Sequence, residues 1–119
     1  MEKAAQAVDQ SATQAGNPFA NHVTLSGTLV ELGALRHTPA GLPAIEFRIR
    51  HASEQLEAGV SRKVEAEVAA LAFAGLARQI ASTELGTALR AGGFLAAKSR
   101  RSARLVLHVT NIEFKEGAL

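Results

Sequence analysis

A chain of 119 residues is long enough for one hydrophobic core and short enough that pairing with a second copy would add useful buried surface. It contains no Cys, which excludes disulfides, thiolate metal sites and cysteine nucleophiles. The formal net charge of +2 selects no partner by itself, but its distribution does: Lys98 to Arg104 holds four cations and no acid.

Residues 1–20 lack a sustained apolar period and end near the breaker cluster Gly16-Asn17-Pro18, so they are read as a flexible N-terminal tail ahead of one domain over 21–116. The tail has no apolar core of a signal peptide, and no run approaches the roughly 20 apolar residues of a membrane span. A cytoplasmic protein away from the membrane is expected. From Val23, the residues Val23, Leu25, Gly27 and Leu29 alternate with polar ones, the pattern of a half-buried strand, and Gly27 within it suggests a bend. Gly33 to Pro43 reads as a loop, with Pro39, Gly41 and Pro43 as turn signals. Ile45, Phe47 and Ile49 then alternate with Glu46, Arg48 and Arg50 in the clearest strand of the chain.

Ala52 to Gly59 is polar enough to read as a long hairpin loop, after which Arg62 to Ala69 alternates with Val64, Ala66 and Val68 inward and Lys63, Glu65 and Glu67 outward. The Ala-rich stretch Ala70 to Ala81, with Leu71, Phe73, Leu76 and Ile80, is a short helix or an irregular connection. Ala88 to Ala97 is a strand that bends at Gly92-Gly93. Arg104 to Phe114 is the last strand, and its change of phase from Leu105, Leu107 and Val109 to Ile112 and Phe114 places a bulge near Asn111. Three strands, a short connection and two more strands, with glycine bends in the first and fourth, make the fold class all-β: a five-stranded OB-fold barrel.

Candidate chemistry is sparse. His22, His37, His51 and His108 form no metal-ligand spacing, no phosphate-binding glycine motif occurs, and Ser26 lies within a strand instead of a nucleophile elbow; no enzyme activity, metal or cofactor is expected. Glu65 and Glu67 are read as ion-pair partners of Arg48 and Arg50 across the sheet. The basic run Lys98, Arg100, Arg101 and Arg104 falls between the last two strands, the loop that borders the ligand face of an OB-fold, where it would attract nucleic-acid phosphates. Arg36 and His37 in the first loop, and Arg48, Arg50, Arg62 and Lys63 on the second and third strands, would extend that surface. All five aromatic residues are Phe, and Phe47, Phe94 and Phe114 read as core, which leaves DNA binding to electrostatics.

Leu25-Ser26-Gly27-Thr28, Pro39-Ala40-Gly41-Leu42-Pro43, Glu57-Ala58-Gly59, Gly93-Phe94 and Leu105-Val106-Leu107-His108 follow one another as they do in the PriB family of primosomal replication proteins, which the chain resembles from about Asn21 to Glu116. The family is in turn similar to single-stranded-DNA-binding protein. The resemblance implies a homodimeric OB-fold without enzyme activity that binds single-stranded DNA and stabilises the complex of the PriA helicase with DNA during replication restart. It also implies contact with other primosome proteins. By position it marks Arg36, Arg62, Lys98, Arg100, Arg101 and Arg104 for DNA. Where well-known members carry aromatic residues, this chain has Val60 and Glu65. The alternative reading is therefore a dimeric protein-interaction adaptor of the primosome whose DNA binding is weak or unused.

Overall fold

The computed structural model of the protein describes residues 20–115. The expected tail therefore lies outside the described residues except for Ala20. Six strands and one helix follow in chain order: β1 (Val23–Leu32), β2 (Arg36–His37), β3 (Pro43–Glu57), β4 (Val60–Phe73), α1 (Ala74–Ala81), β5 (Ala88–Ser99) and β6 (Ser102–Phe114). β2 is a two-residue addition to β3; the other five strands run β1-β5-β6-β4-β3 and close through a β1–β3 pairing. The result is the five-stranded barrel with a helix between its third and fourth principal strands, as expected.

Closure depends on one strand serving two neighbours. The first half of β1 pairs with β5, from Val23↔Gly93 to Thr28↔Ala88, and its second half pairs with β3, from Thr28↔Arg50 to Leu32↔Phe47. Gly27 stands at this hand-over, where a Cβ would run into the carbonyl oxygen of Arg50. Only a residue without a side chain lets β1 approach that closely. His51 fastens the same seam: its Nδ1–H donates to the Ser26 carbonyl at 2.7 Å, and its Nε2 lies 2.8 Å from Ser53 Oγ. The phase change in β6 is a bulge at Thr110, which leaves Gly92 opposite Asn111 and Gly93 opposite Val109.

The alternating residues fill the barrel. Leu29, Ile45, Phe47, Ile49, Ala70, Ala72, Leu89, Ala91, Leu107 and Val109 are buried together, and Ala77 and Ile80 of α1 close one end. Among the described residues, no helix is long and apolar enough to cross a membrane.

Two expectations need correction. Ala52 to Gly59 is not a long loop: β3 continues to Glu57, and the connection is the two-residue turn Ala58-Gly59, both at positive φ (53° and 81°). Similarly, β4 runs on through Ala70–Phe73 before the helix begins at Ala74. The consequence is a long β3–β4 hairpin whose outer part leaves the barrel, so that Leu56 and Val60 near its tip are exposed.

Candidate nucleic-acid interface

The basic run does not form an open loop. β5 and β6 are antiparallel up to Ser99↔Ser102, leaving only Arg100 and Arg101 in the turn, with Lys98 and Arg104 on the flanking strands. Two serines fix this tip. Ser99 Oγ accepts from the Arg101 N–H at 3.2 Å, and Ser102 Oγ accepts from the Arg104 N–H at 3.3 Å. All four cations are exposed, and no acidic residue occurs anywhere between Arg90 and Glu113.

The remaining basic candidates divide by their partners. Arg36 pairs with Glu46 at 3.0 Å, Arg50 with Glu67 at 2.7 Å, and Arg62 with Glu57 at 2.8 Å; Arg48 lies 3.4 Å from Glu67 and 3.9 Å from Glu31. Lys63, Lys98, Arg100, Arg101 and Arg104 make no ion pair among the described residues. A cation already facing a carboxylate offers less to a phosphate, because its field is partly cancelled at short range. Unneutralised positive charge is therefore concentrated at the tip of the β5–β6 hairpin. The arginines of β3 lie in a mixed-charge network.

That network is centred on Glu67. Hydrogen bonds from Arg50 and Arg48, with the positive charge of both, hold its carboxyl below the ordinary value of 4.5 and outweigh the opposing effect of desolvation. Glu65, expected to share this role, sits across the ladder from Ala52 instead. Strand alternation also separates two neighbours that were grouped together. Lys63 shares the outer face with Arg48 and Arg50, whereas Arg62 points to the other face, where Glu57 meets it. Among the described residues, no group of three His, Asp or Glu is placed to hold a metal ion.

The aromatic residues hold the feature that sequence reading missed. Phe47 is buried and Phe114 packs against the core, but Phe94, expected inside, is 39% exposed. Its ring stacks on His108, with centroids 4.9 Å apart and planes 16° from parallel. Phe73, 38% exposed, stands on the far side of His108 at 6.2 Å. The physical reason is parity: Leu89, Ala91 and Leu95 turn to the core from β5, so Phe94, next to Leu95, must face outward. The spacing of those three residues was the available signal.

Comparison with known proteins agrees with this architecture. A family model described as "Another single-strand binding protein family" matches residues 21–111. The chain is similar to the replication restart protein PriB of Bordetella pertussis, 46% identical over 89 residues that cover 75% of this chain and 83% of the relative. It is likewise similar to that of Nitrosomonas europaea, 45% identical over 75% of this chain and 82% of the relative. A solved structure of PriB from Ralstonia solanacearum superposes with a TM-score of 0.73 at 33% identity, covering 81% of this chain and 98% of that one. The wild-type single-stranded DNA binding protein of Thermus aquaticus shares the fold, with a TM-score of 0.64 at 22% identity over 82% of this chain and 51% of that one.

Proposed function

Because the chain belongs to the replication restart protein PriB family, within the single-strand binding proteins, we propose that it binds single-stranded DNA through the tip of the β5–β6 hairpin. The observation that carries this reading is the set of four exposed cations, Lys98, Arg100, Arg101 and Arg104, which no carboxylate among the described residues neutralises. Each contact between one of them and a phosphate releases a condensed counterion, so the affinity is electrostatic and falls with salt. Arg36, Arg48, Arg50 and Arg62 contribute less directly, since a phosphate must compete with the acid each already faces. Lys63, opposite Glu54 on the ladder but in no ion pair among the described residues, can add a contact on the β3–β4 side.

The protein catalyses nothing in this reading and serves as an accessory in the restart of stalled forks, steadying the complex of the PriA helicase with DNA in the cytoplasm. It acts as a homodimer. The support for pairing lies in β1: from Val23 to Gly27 one edge is bonded to β5, while β3 joins the other edge only from Thr28 onward, and no charged residue occupies Val23–Val30. An uncharged half-strand whose second edge is unpaired among the described residues from Val23 to Leu25, ahead of the Ser26 carbonyl that His51 engages, is a surface that a second copy can cover.

Leu56 and Val60 favour a second reading, that of a primosome adaptor. They are 77% and 65% exposed near the tip of the β3–β4 hairpin, an apolar end suited to protein contact. Fluorescence anisotropy of a labelled single-stranded oligonucleotide, titrated with the full chain over a series of salt concentrations, separates the two. Binding with a steep negative salt slope supports DNA binding; absence of binding at low salt leaves the adaptor reading.

A further inference from the structure

We propose that the stacked pair Phe94–His108 is a nucleobase-stacking site, which takes an unpaired base of the same DNA strand whose phosphates meet the hairpin cations. The inference rests on the reading that the hairpin binds single-stranded DNA. It adds a specific, salt-insensitive contact to it.

The placement of the rings follows from the ladder. Phe94 faces His108 directly across β5 and β6, and His108 adjoins Leu71 across β6 and β4. The row Leu71–His108–Phe94 thus crosses the outside of the barrel, with Phe73 beside it. Moving toward the turn, the next pair on the same face is Ala96 and Val106; beyond Ala97↔Leu105 the register shifts by one residue, so that Ala103 and Arg104 of β6 together stand against Lys98 of β5. Lys98 is four residues from Phe94 and Arg104 four from His108, a separation of about 13 Å along an extended strand. Ala96 is small and Val106 is buried, so neither projects a long side chain between rings and cations. A single strand running along this stripe would set phosphates against Lys98 and Arg104 and bring a base to the rings a short distance on.

A stacking role also accounts for the exposure. Two large aromatic side chains turned outward on one sheet, with an imidazole held nearly parallel to one of them, present flat π surface to solvent. Every base has a π face to meet it, so the contact is tolerant of sequence. A protein partner fits less well, because the stripe ends in four cations with no acid between Arg90 and Glu113, a charge pattern that matches a polyanion.

The test compares two labelled strands of equal length and charge, oligothymidine and an abasic backbone, binding to the full chain and to Phe94→Leu. Loss of one base–aromatic contact corresponds to about a 5- to 150-fold change in affinity. The wild-type protein is expected to prefer oligothymidine by that factor. Phe94→Leu should bring the ratio close to one while leaving the salt slope unchanged. Equal binding of both strands by the wild-type protein, with the salt slope intact, overturns the stacking site and leaves the proposed function standing. Persistence of the preference in Phe94→Leu also overturns it, placing the stacked base elsewhere. Failure of both strands to bind at low salt removes the proposed function, and this inference with it. The wild-type comparison needs no variant to fold, and a thermal melt by circular dichroism checks Phe94→Leu.

Discussion

Neutralising the hairpin tip and neutralising the β3 arginines remove the same amount of charge but should have different effects. Arg100→Gln/Arg101→Gln and Arg48→Gln/Arg50→Gln each take two charges from a chain whose formal net charge is +2. The tip arginines face no carboxylate among the described residues, whereas Arg48 and Arg50 both sit against Glu67. If Lys98, Arg100, Arg101 and Arg104 each meet one phosphate, the slope of log K against log salt is about −2.8, at about 0.7 for each contact to a single strand. Between roughly 50 mM and 200 mM salt this amounts to about a 50-fold loss of affinity, and with two contacts left to about a 7-fold loss. Arg100→Gln/Arg101→Gln should therefore halve the slope. Arg48→Gln/Arg50→Gln should weaken binding, because Glu67 is left unneutralised, while keeping most of the slope. Anisotropy titrations at four or five salt concentrations read both values. Equal reductions of slope in the two variants would mean that only net charge matters, and the assignment of the hairpin would be wrong.

Further outcomes follow from the same geometry. Gly93→Ala should cost about 1–3 kcal/mol in urea unfolding, because its Cβ would collide with the backbone carbonyl of His108 and the strands cannot yield without losing their ladder; an unchanged midpoint would contradict that close approach. Ala58→Asn should stabilise the domain by some tenths of a kcal/mol up to about 1, since Asn tolerates the left-handed conformation of this turn better than Ala does, and a rise of a few degrees in Tm would show it. Glu67 has its pKa lowered in the folded state, so the stability it contributes is present above the unfolded carboxylate value and is lost as pH falls through the folded one. Glu67→Gln should accordingly lower the urea midpoint at pH 7, and the deficit should shrink as the pH is taken below the ordinary carboxylate value; a deficit that stays constant as the pH falls would assign the effect to packing.

The barrel was legible wherever one face of a strand is buried and the other is wet. Ile45, Phe47 and Ile49 against Glu46, Arg48 and Arg50 gave β3, and the change of phase before Ile112 located the bulge that Thr110 makes. The signal failed where both faces meet solvent. In the outer β3–β4 hairpin, Ser53, Glu54 and Gln55 have no core to face, so a regular strand carries the composition of a loop. The four hairpin cations were visible as a run, but their lack of partners among the described residues was not, because ion pairs such as Arg36–Glu46 and Arg50–Glu67 depend on register between distant segments. Phe94 was misplaced for a related reason. Hydrophobicity alone ranks it as core beside Leu95, and only the parity of β5 decides which of the two turns inward.

In the proposed function, single-stranded DNA lies on the β5–β6 hairpin. Hydrogen exchange of the full chain, followed by mass spectrometry with and without a saturating single-stranded oligonucleotide, addresses it most directly. Slower exchange in the peptide spanning Ala96 to Val106, with α1 unchanged, is the predicted result. Protection confined to α1 or to the first half of β1, with the hairpin unaffected, would contradict it.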